Sequence, residues 1–394
     1  MNDKPAEIKA LSGARALPPL VLVLFHFCEG HGYRGLSWFD LIAAKGYLWV
    51  EFFFALSGFV LMHVYGSRAR EFLHFGAYAG FVRARLIRLY PLHLFMLLAV
   101  LAQLIVFGAL ARAGGYVSIF DQPYHPVLTL PTFIANLFLV QAWNLFNYLS
   151  WNGVAWFVSV EFLLCLLFPL YVLVAHRGGI LRGLAIVAVG VAGLAALDLR
   201  SKHGLDLTFH NGIWRGMSAF GVGVGLATLY RATRSISRSP LPASVHSLAQ
   251  LATVACLFSA IWFTGWSHSH RDILTVLPMF ALVFALSFDR GIVAEFLQTR
   301  VPMRLGEWSY AIYIGQTFWL QFLRFAEQRL LPAPDAIILG HRFVELIWWT
   351  EPAALVAVCV VWGACLSRYV ERPSAALLKR LSAGSATLGA ASSA

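Results

Sequence analysis

Between Trp156 and Ala175 the chain runs WFVSVEFLLCLLFPLYVLVA, with Glu161 as its single charged residue. A stretch this long and this apolar crosses the hydrocarbon core of a bilayer as one α-helix, which takes about 20 residues. Comparable runs lie near 16–28, 46–66, 90–112, 154–175, 180–198, 212–230, 245–265, 272–288, 306–325 and 350–370. The first is short, so its helix is expected to begin nearer Leu11. The spacing predicts an all-α, polytopic integral membrane protein with about ten transmembrane helices. The runs are continuous rather than alternating, which argues against a β-barrel. Composition agrees, with 59% hydrophobic and only 12% charged residues, where soluble domains carry about a quarter charged.

One further apolar stretch, Leu130 to Phe146, is interrupted by Pro131, Asn136, Gln141 and Asn144. Such polar groups are costly against lipid, so the stretch is expected to be re-entrant or interfacial. The membrane domain is expected over 8–373. The last residues, 374–394, are rich in Ser, Ala and Gly and are expected to form a disordered cytoplasmic tail.

The formal net charge of +11 raises nucleic acid as a partner, and its placement argues against one. With the N-terminus in the cytoplasm, Arg68, Arg70, Arg83, Arg85 and Arg88 fall inside. So do Arg231, Arg234, Arg238, Arg290, Arg300 and Arg304, together with the segment Arg372 to Arg380. Roughly twenty of the basic residues are then cytoplasmic, as the positive-inside bias requires. The charge is therefore topological, both termini are expected in the cytoplasm, and the partner it implies is the lipid bilayer. The five cysteines, Cys28, Cys165, Cys256, Cys359 and Cys365, form no CxxC or metal-ligand spacing. They are expected to be small apolar packing residues, with no metal site. The first apolar run lacks a small-residue cleavage pattern and is not read as a removable leader.

Ionisable groups at membrane depth are the places to look for chemistry. Arg15 precedes His26 by eleven residues, close to three helical turns, which puts both on one face about 16 Å apart. That phase holds only if Pro18 and Pro19 sit in the helix's first turn. An imidazole is suited to proton transfer near neutral pH. Glu51 and Glu161 are carboxylates in apolar runs, and each needs a hydrogen bond, a cation or a proton. His26, Arg215 and several Trp and Tyr side chains are available. In FVRARLIRLYPLH, Arg85 and Arg88 are three apart and share a helical face, while Arg83 points elsewhere. A guanidinium pair at a membrane surface fits a phosphate or pyrophosphate ligand, or serves as a positive-inside anchor.

Taken in order, these segments resemble the membrane acyltransferase type 3 family, whose members modify cell-surface carbohydrates. LSGARALPPLVLVLFHF resembles the family's first span, and VEFFFALSGFVL its second. RARLIRLYPLH resembles the cytoplasmic RxxR segment, and WFVSVEFLLCLLFP the stretch with an intramembrane glutamate. LGEWSYAIYIGQTF and YVERP resemble the last two spans. Six motifs in family order cover residues 8 to 373. There are departures from the pattern: Ser12 and Glu51 stand where Asp is usual, Pro18-Pro19 where small apolar residues run, and Gln316 where many members carry His.

The resemblance implies transfer of an acyl group, commonly acetyl, from cytoplasmic acyl-CoA to a hydroxyl of an extracytoplasmic carbohydrate. His26 then matches the catalytic base and Arg15 the arginine paired with it. Glu161 is expected to orient the imidazole, and Arg15, Arg85, Arg88 and Arg83 to hold CoA phosphates. Acyl-CoA is a co-substrate, with no permanently bound cofactor, in a bacterial inner membrane. A two-fold homodimer is the default oligomer. The alternatives are an acyl-group exporter serving a separate transferase, since buried carboxylates also suit proton-coupled transport, and an acyltransferase acting on a small antibiotic or lipid-linked acceptor.

Overall fold

A computed structural model describes residues 5–31, 38–68, 71–114, 127–236, 241–265, 271–329, 337–338 and 341–391. The helices, in chain order, are α1 (Lys9–Ala14), α2 (Leu17–His31), α3 (Trp38–Ala44), α4 (Trp49–Tyr65) and α5 (Phe75–Ala113). Then follow α6 (Leu130–Leu137), α7 (Trp156–Ala175), α8 (Ile180–Arg200), α9 (Gly212–Ile236) and α10 (Ala243–Thr264). The chain ends with α11 (Asp272–Leu286), α12 (Ile292–Leu297), α13 (Arg300–Arg329), α14 (Phe343–Leu366) and α15 (Arg372–Ala391). A two-residue antiparallel pair, Ile337–Ile338 with His341–Arg342, precedes α14. Among the described residues, seven helical runs are long and apolar enough to cross a membrane.

Burial sorts these helices by place. The α4 run is 72% buried and central, whereas the α8 run is 17% buried and turns most of its surface outward. Leu181, Leu184 and Val189 of α8, and Trp262 and Phe263 of α10, are exposed, the side-chain set expected to meet lipid tails. Helix α9 is not among the seven, because Arg215 and its glycines lower its hydropathy. It is nevertheless almost wholly buried, and a span shielded by its neighbours needs no apolar surface of its own. Two glycines allow its close approach to α4: a Cβ at Gly58 would overlap the Phe220 carbonyl, and one at Gly223 the Ala55 carbonyl. Small residues at crossings are how membrane helices gain packing where lipid offers no hydrophobic drive.

The first span is two helices. Arg15 and Ala16 form a turn between α1 and α2, and Pro18 and Pro19 occupy the opening turn of α2. Neither proline has an N–H to give, and their rings crowd the carbonyls four residues back, so the chain restarts there. Helix α5 runs 39 residues, about 58 Å at 1.5 Å per residue, nearly twice a hydrocarbon core of about 30 Å. One end of it, with Arg83, Arg85 and Arg88, therefore has room to stand outside the bilayer.

The interrupted stretch is a short helix followed by irregular backbone up to α7. Helix α6 has eight residues, about 12 Å and too short to cross. The polar residues that break the apolar pattern anchor this backbone. Asn136 Nδ2 donates to Ser150 Oγ (2.9 Å), and Gln141 Nε2 to the Ala155 carbonyl (3.1 Å). Asn152 Nδ2 donates to the Ile314 carbonyl (2.9 Å) on α13. His93 Nε2 of α5 donates to the Asn136 carbonyl at 2.8 Å. Non-helical backbone at this depth persists only where protein groups satisfy it.

The described part of the C-terminal segment is helical. After one π-helical turn, Ser367–Glu371, the chain remains helical to Ala391. Alanine and leucine are strong helix formers, and extending an existing helix avoids the cost of a new nucleus.

Candidate active site

A cavity of ≈ 110 Å³ lies where α4, α5, α7 and α13 meet the Arg15 turn. Arg15, Arg85, Arg88, Ser57, Glu161 and Tyr310 line it, with Phe53, Phe157 and Tyr313 among its apolar walls. Arg15 and Arg85 are half-buried and Arg88 is exposed. Arg85 lies over the Tyr65 and Phe81 rings, 5.7 Å from each centroid, and Nη2 reaches Tyr65 Oη at 3.4 Å. Its Nε is buried without a partner. Arg83, two positions along, is exposed and does not line the cavity. Helical phase separates it from its neighbours.

Glu161 sits among these cations. Ser57 Oγ donates to its Oε1, and Oε2 is buried with no partner. Arg88, Arg85 and Arg15 are the charges that act on it. The expectation that Glu161 orients His26 fails here, because the two share no hydrogen bond or ion pair. The carboxylate projects from the second turn of α7 into the arginine cavity, while the histidine belongs to another cluster. Glu371 of the π-helical turn also acts on Arg88, so two carboxylates partly offset three guanidinium groups.

His26 lies two and a half turns into α2, with its ring 5.1 Å from that of Phe25. Its Nδ1 is 3.2 Å from Gln316 Oε1. Gln316 is fully buried, and its Nε2 donates to the Tyr313 carbonyl at 2.9 Å. Tyr313, one turn earlier on α13, faces the arginine cavity, donates from Oη to the Val154 carbonyl (2.7 Å), and packs against Phe53 and Phe157. A line of contacts thus runs from the arginines through the cavity to Tyr313, then Gln316, then His26. Asp206, on the loop between α8 and α9, and Arg324 of α13 are the charges acting on the imidazole.

That loop is held by two buried ion pairs. Arg215 binds Glu51 through Nε to Oε1 and through Nη2 to Oε2 (2.8 Å). The same guanidinium donates to the carbonyls of Tyr47 (2.7 Å) and Leu207 (3.0 Å). Lys45 Nζ pairs with Asp272 at 2.7 Å, and Asp272 accepts from Tyr47 Oη (2.7 Å) and Leu205 N (2.9 Å). Buried charge is tolerated because each member is paired and bonded. Glu51 therefore has its partner in Arg215, one of those the sequence offered. Of the cysteines expected to pack as small apolar residues, Cys28, Cys165 and Cys359 are buried, while Cys256 is exposed. Ser57, Tyr310, Tyr313 and Asp206 went unassigned as site residues in the sequence. Their apolar or loop surroundings give no periodic signal, and only Gln316 stood out, as a departure.

Comparison with known proteins places the chain in a family. The model of the acyltransferase 3 family, described as an acyltransferase domain, matches residues 8–370. The chain is 24% identical over 419 residues to the acyltransferase MdmB of Streptomyces mycarofaciens, covering 96% of this chain and 95% of that protein. It is 32% identical over 170 residues to protein 2 in the picA locus of Rhizobium radiobacter, covering 39% of this chain and 84% of that protein. No solved structure matches. An all-helical polytopic chain with a family match over nearly its whole length is a membrane acyltransferase, and it belongs to the acyltransferase 3 family.

Proposed function

We propose that the protein moves an acyl group, acetyl in the simplest case, from acyl-CoA on the cytoplasmic side of the bacterial inner membrane to a hydroxyl of an extracytoplasmic glycan. Both termini lie in the cytoplasm in this reading, and a homodimer is compatible with it. The observation that carries the proposal is that Tyr313, a wall of the arginine cavity, shares a turn of α13 with Gln316, whose amide reaches His26. It supplies an anion-binding end and a basic end within one bundle.

Arg15, Arg85 and Arg88 bind the CoA phosphates, with charge-assisted bonds that a guanidinium fork suits. Arg83 serves as a membrane-surface cation. The pantetheine arm enters between Phe53, Phe157 and Tyr313, bringing the thioester toward His26. His26 accepts the proton of the acceptor hydroxyl as its oxygen attacks the thioester carbonyl carbon. The C–S bond then breaks, and the imidazolium returns the proton to the departing sulfur, giving an ester and CoA thiol. A positioned base contributes about 10² to 10⁴ in rate. Glu161 acts at the donor end, where it stands in for a phosphate among the arginines until the nucleotide arrives.

The test uses purified protein in liposomes with radiolabelled acetyl-CoA and an oligosaccharide acceptor. His26→Ala is expected to abolish ester formation while CoA binding, read by calorimetry, persists. Acylation by a well-folded His26→Ala protein at the wild-type rate overturns the assignment.

A further inference from the structure

We infer that Gln316 is the positioning residue for His26, fixing the imidazole with its proton on Nδ1 and its lone pair on Nε2. The inference rests on the reading of His26 as base and deepens it by naming the group that presents the ring.

The steps are geometric. The Gln316 carboxamide makes two contacts, to the Tyr313 carbonyl at 2.9 Å and to His26 Nδ1 at 3.2 Å. A carbonyl oxygen only accepts, so the NH₂ of the amide faces Tyr313 and Oε1 faces the histidine. Oε1 also only accepts, so Nδ1 carries the hydrogen. The neutral ring then has its unshared pair on Nε2, the nitrogen turned away from Gln316. Burial of Gln316 and its anchorage one turn back on α13 hold the amide against flipping. A carboxylate commonly fills this place beside a catalytic histidine. Here Glu161, the carboxylate expected from the sequence to orient the ring, is bonded to Ser57 and lies among the arginines.

Replacing a carboxylate with an amide has a consequence. An amide oxygen orients the ring without a full negative charge, so the base remains neutral and ready to accept a proton. Among the described residues, the charged groups acting on the ring come from two elements, Asp206 of the α8–α9 loop and Arg324 of α13, and the same two act on Glu29 at the end of α2. The Gly30 backbone lies against the Arg324 guanidinium, which places that cation at the end of α2. Acids and base there partly offset one another, leaving the direct contact on Nδ1 as the control point.

The experiment is a pH profile of kcat/KM with acetyl-CoA on the full-length protein in liposomes, for wild type, Gln316→Glu and Gln316→Leu. Gln316→Glu places a carboxylate on Nδ1 and stabilises the protonated ring, so the acidic limb moves up by about one pH unit. Gln316→Leu keeps the volume but leaves the ring only its backbone contact at Leu22, one turn back on α2, and kcat falls on the order of 10²-fold with KM for acetyl-CoA unchanged. A profile for Gln316→Glu that superimposes on wild type overturns the inference, as does wild-type kcat in Gln316→Leu. If Gln316→Leu does not purify as a monodisperse species, the limb position of Gln316→Glu decides alone. An inactive His26→Ala together with unaltered Gln316 variants rejects the positioning role and leaves the base assignment standing. An active His26→Ala rejects both.

Discussion

Substituting Glu51 by Leu removes the only carboxylate, among the described residues, bonded to Arg215, whose side chain is about 1% exposed. The guanidinium would retain the carbonyls of Tyr47 and Leu207 and the face of Trp156, 5.5 Å from its centroid. None of these carries a compensating charge. Two charge-assisted bonds are lost, at about 1.5–3 kcal/mol each, and breaking a buried pair from one side costs about 3–5 kcal/mol. The two routes agree near 4 kcal/mol. A tenfold change takes about 1.4 kcal/mol, so the folded-to-unfolded ratio falls by a factor of about 10² to 10³. The double variant Glu51→Leu/Arg215→Met removes the stranded charge and is expected to recover part of that loss. Unfolding in mixed detergent micelles by added SDS, followed by tryptophan fluorescence, reads all three proteins. A double variant no more stable than Glu51→Leu refutes the reasoning, since the penalty would then not come from uncompensated charge. The same network bonds Leu205 and Leu207 on either side of Asp206, so acyl transfer by Glu51→Leu should fall in parallel with loss of folded protein.

Arg85→Ala and Arg88→Ala should each raise KM for acetyl-CoA about 10- to 100-fold, the worth of one charge-assisted contact. Arg83→Ala, outside the cavity, should leave it within twofold, by initial-rate kinetics. Glu161→Gln removes a carboxylate from among three guanidinium groups. It should lower the Kd for CoA measured by calorimetry by roughly tenfold or more, in the sense expected when an internal competitor anion is lost. Gly223→Leu drives a side chain into the Ala55 carbonyl and should abolish recovery of monodisperse protein, whereas Gly76→Ala, at an open position, should purify normally.

Much of the fold was legible because bilayer solvation leaves few options: an apolar run of about 20 residues must be a helix. The ten runs correspond to helical segments with shifts at their ends, the run 212–230 to α9 among them. Gln141 and Asn144 fall on irregular backbone, whereas Asn136 sits in the short helix α6. The Arg15–His26 phase was not legible, because two prolines restart the helix and local sequence does not fix the angle of the restart. Nor was the partner of Glu161. Spacing along one helix says which residues share a face, but not which face meets which neighbour. Ser57, the hydrogen-bond donor that meets Glu161 among the arginines, carries no sequence signal that would single it out. Gln316 was noticed as an odd residue, while its role came only from the two contacts of its amide.

The size of the arginine cavity bears on how inhibitors should be sought. At about 30 Å³ for each water, its ≈ 110 Å³ has room for three or four molecules. Ligand sites for drug-sized compounds run to about 300–1,000 Å³. Fragments fitted to this shape will be small and anionic, and weak for that reason. Compounds of useful strength must instead part Phe53, Phe157 and Tyr313 as they bind, so screening should favour narrow, flexible chains with an acidic head over rigid discs.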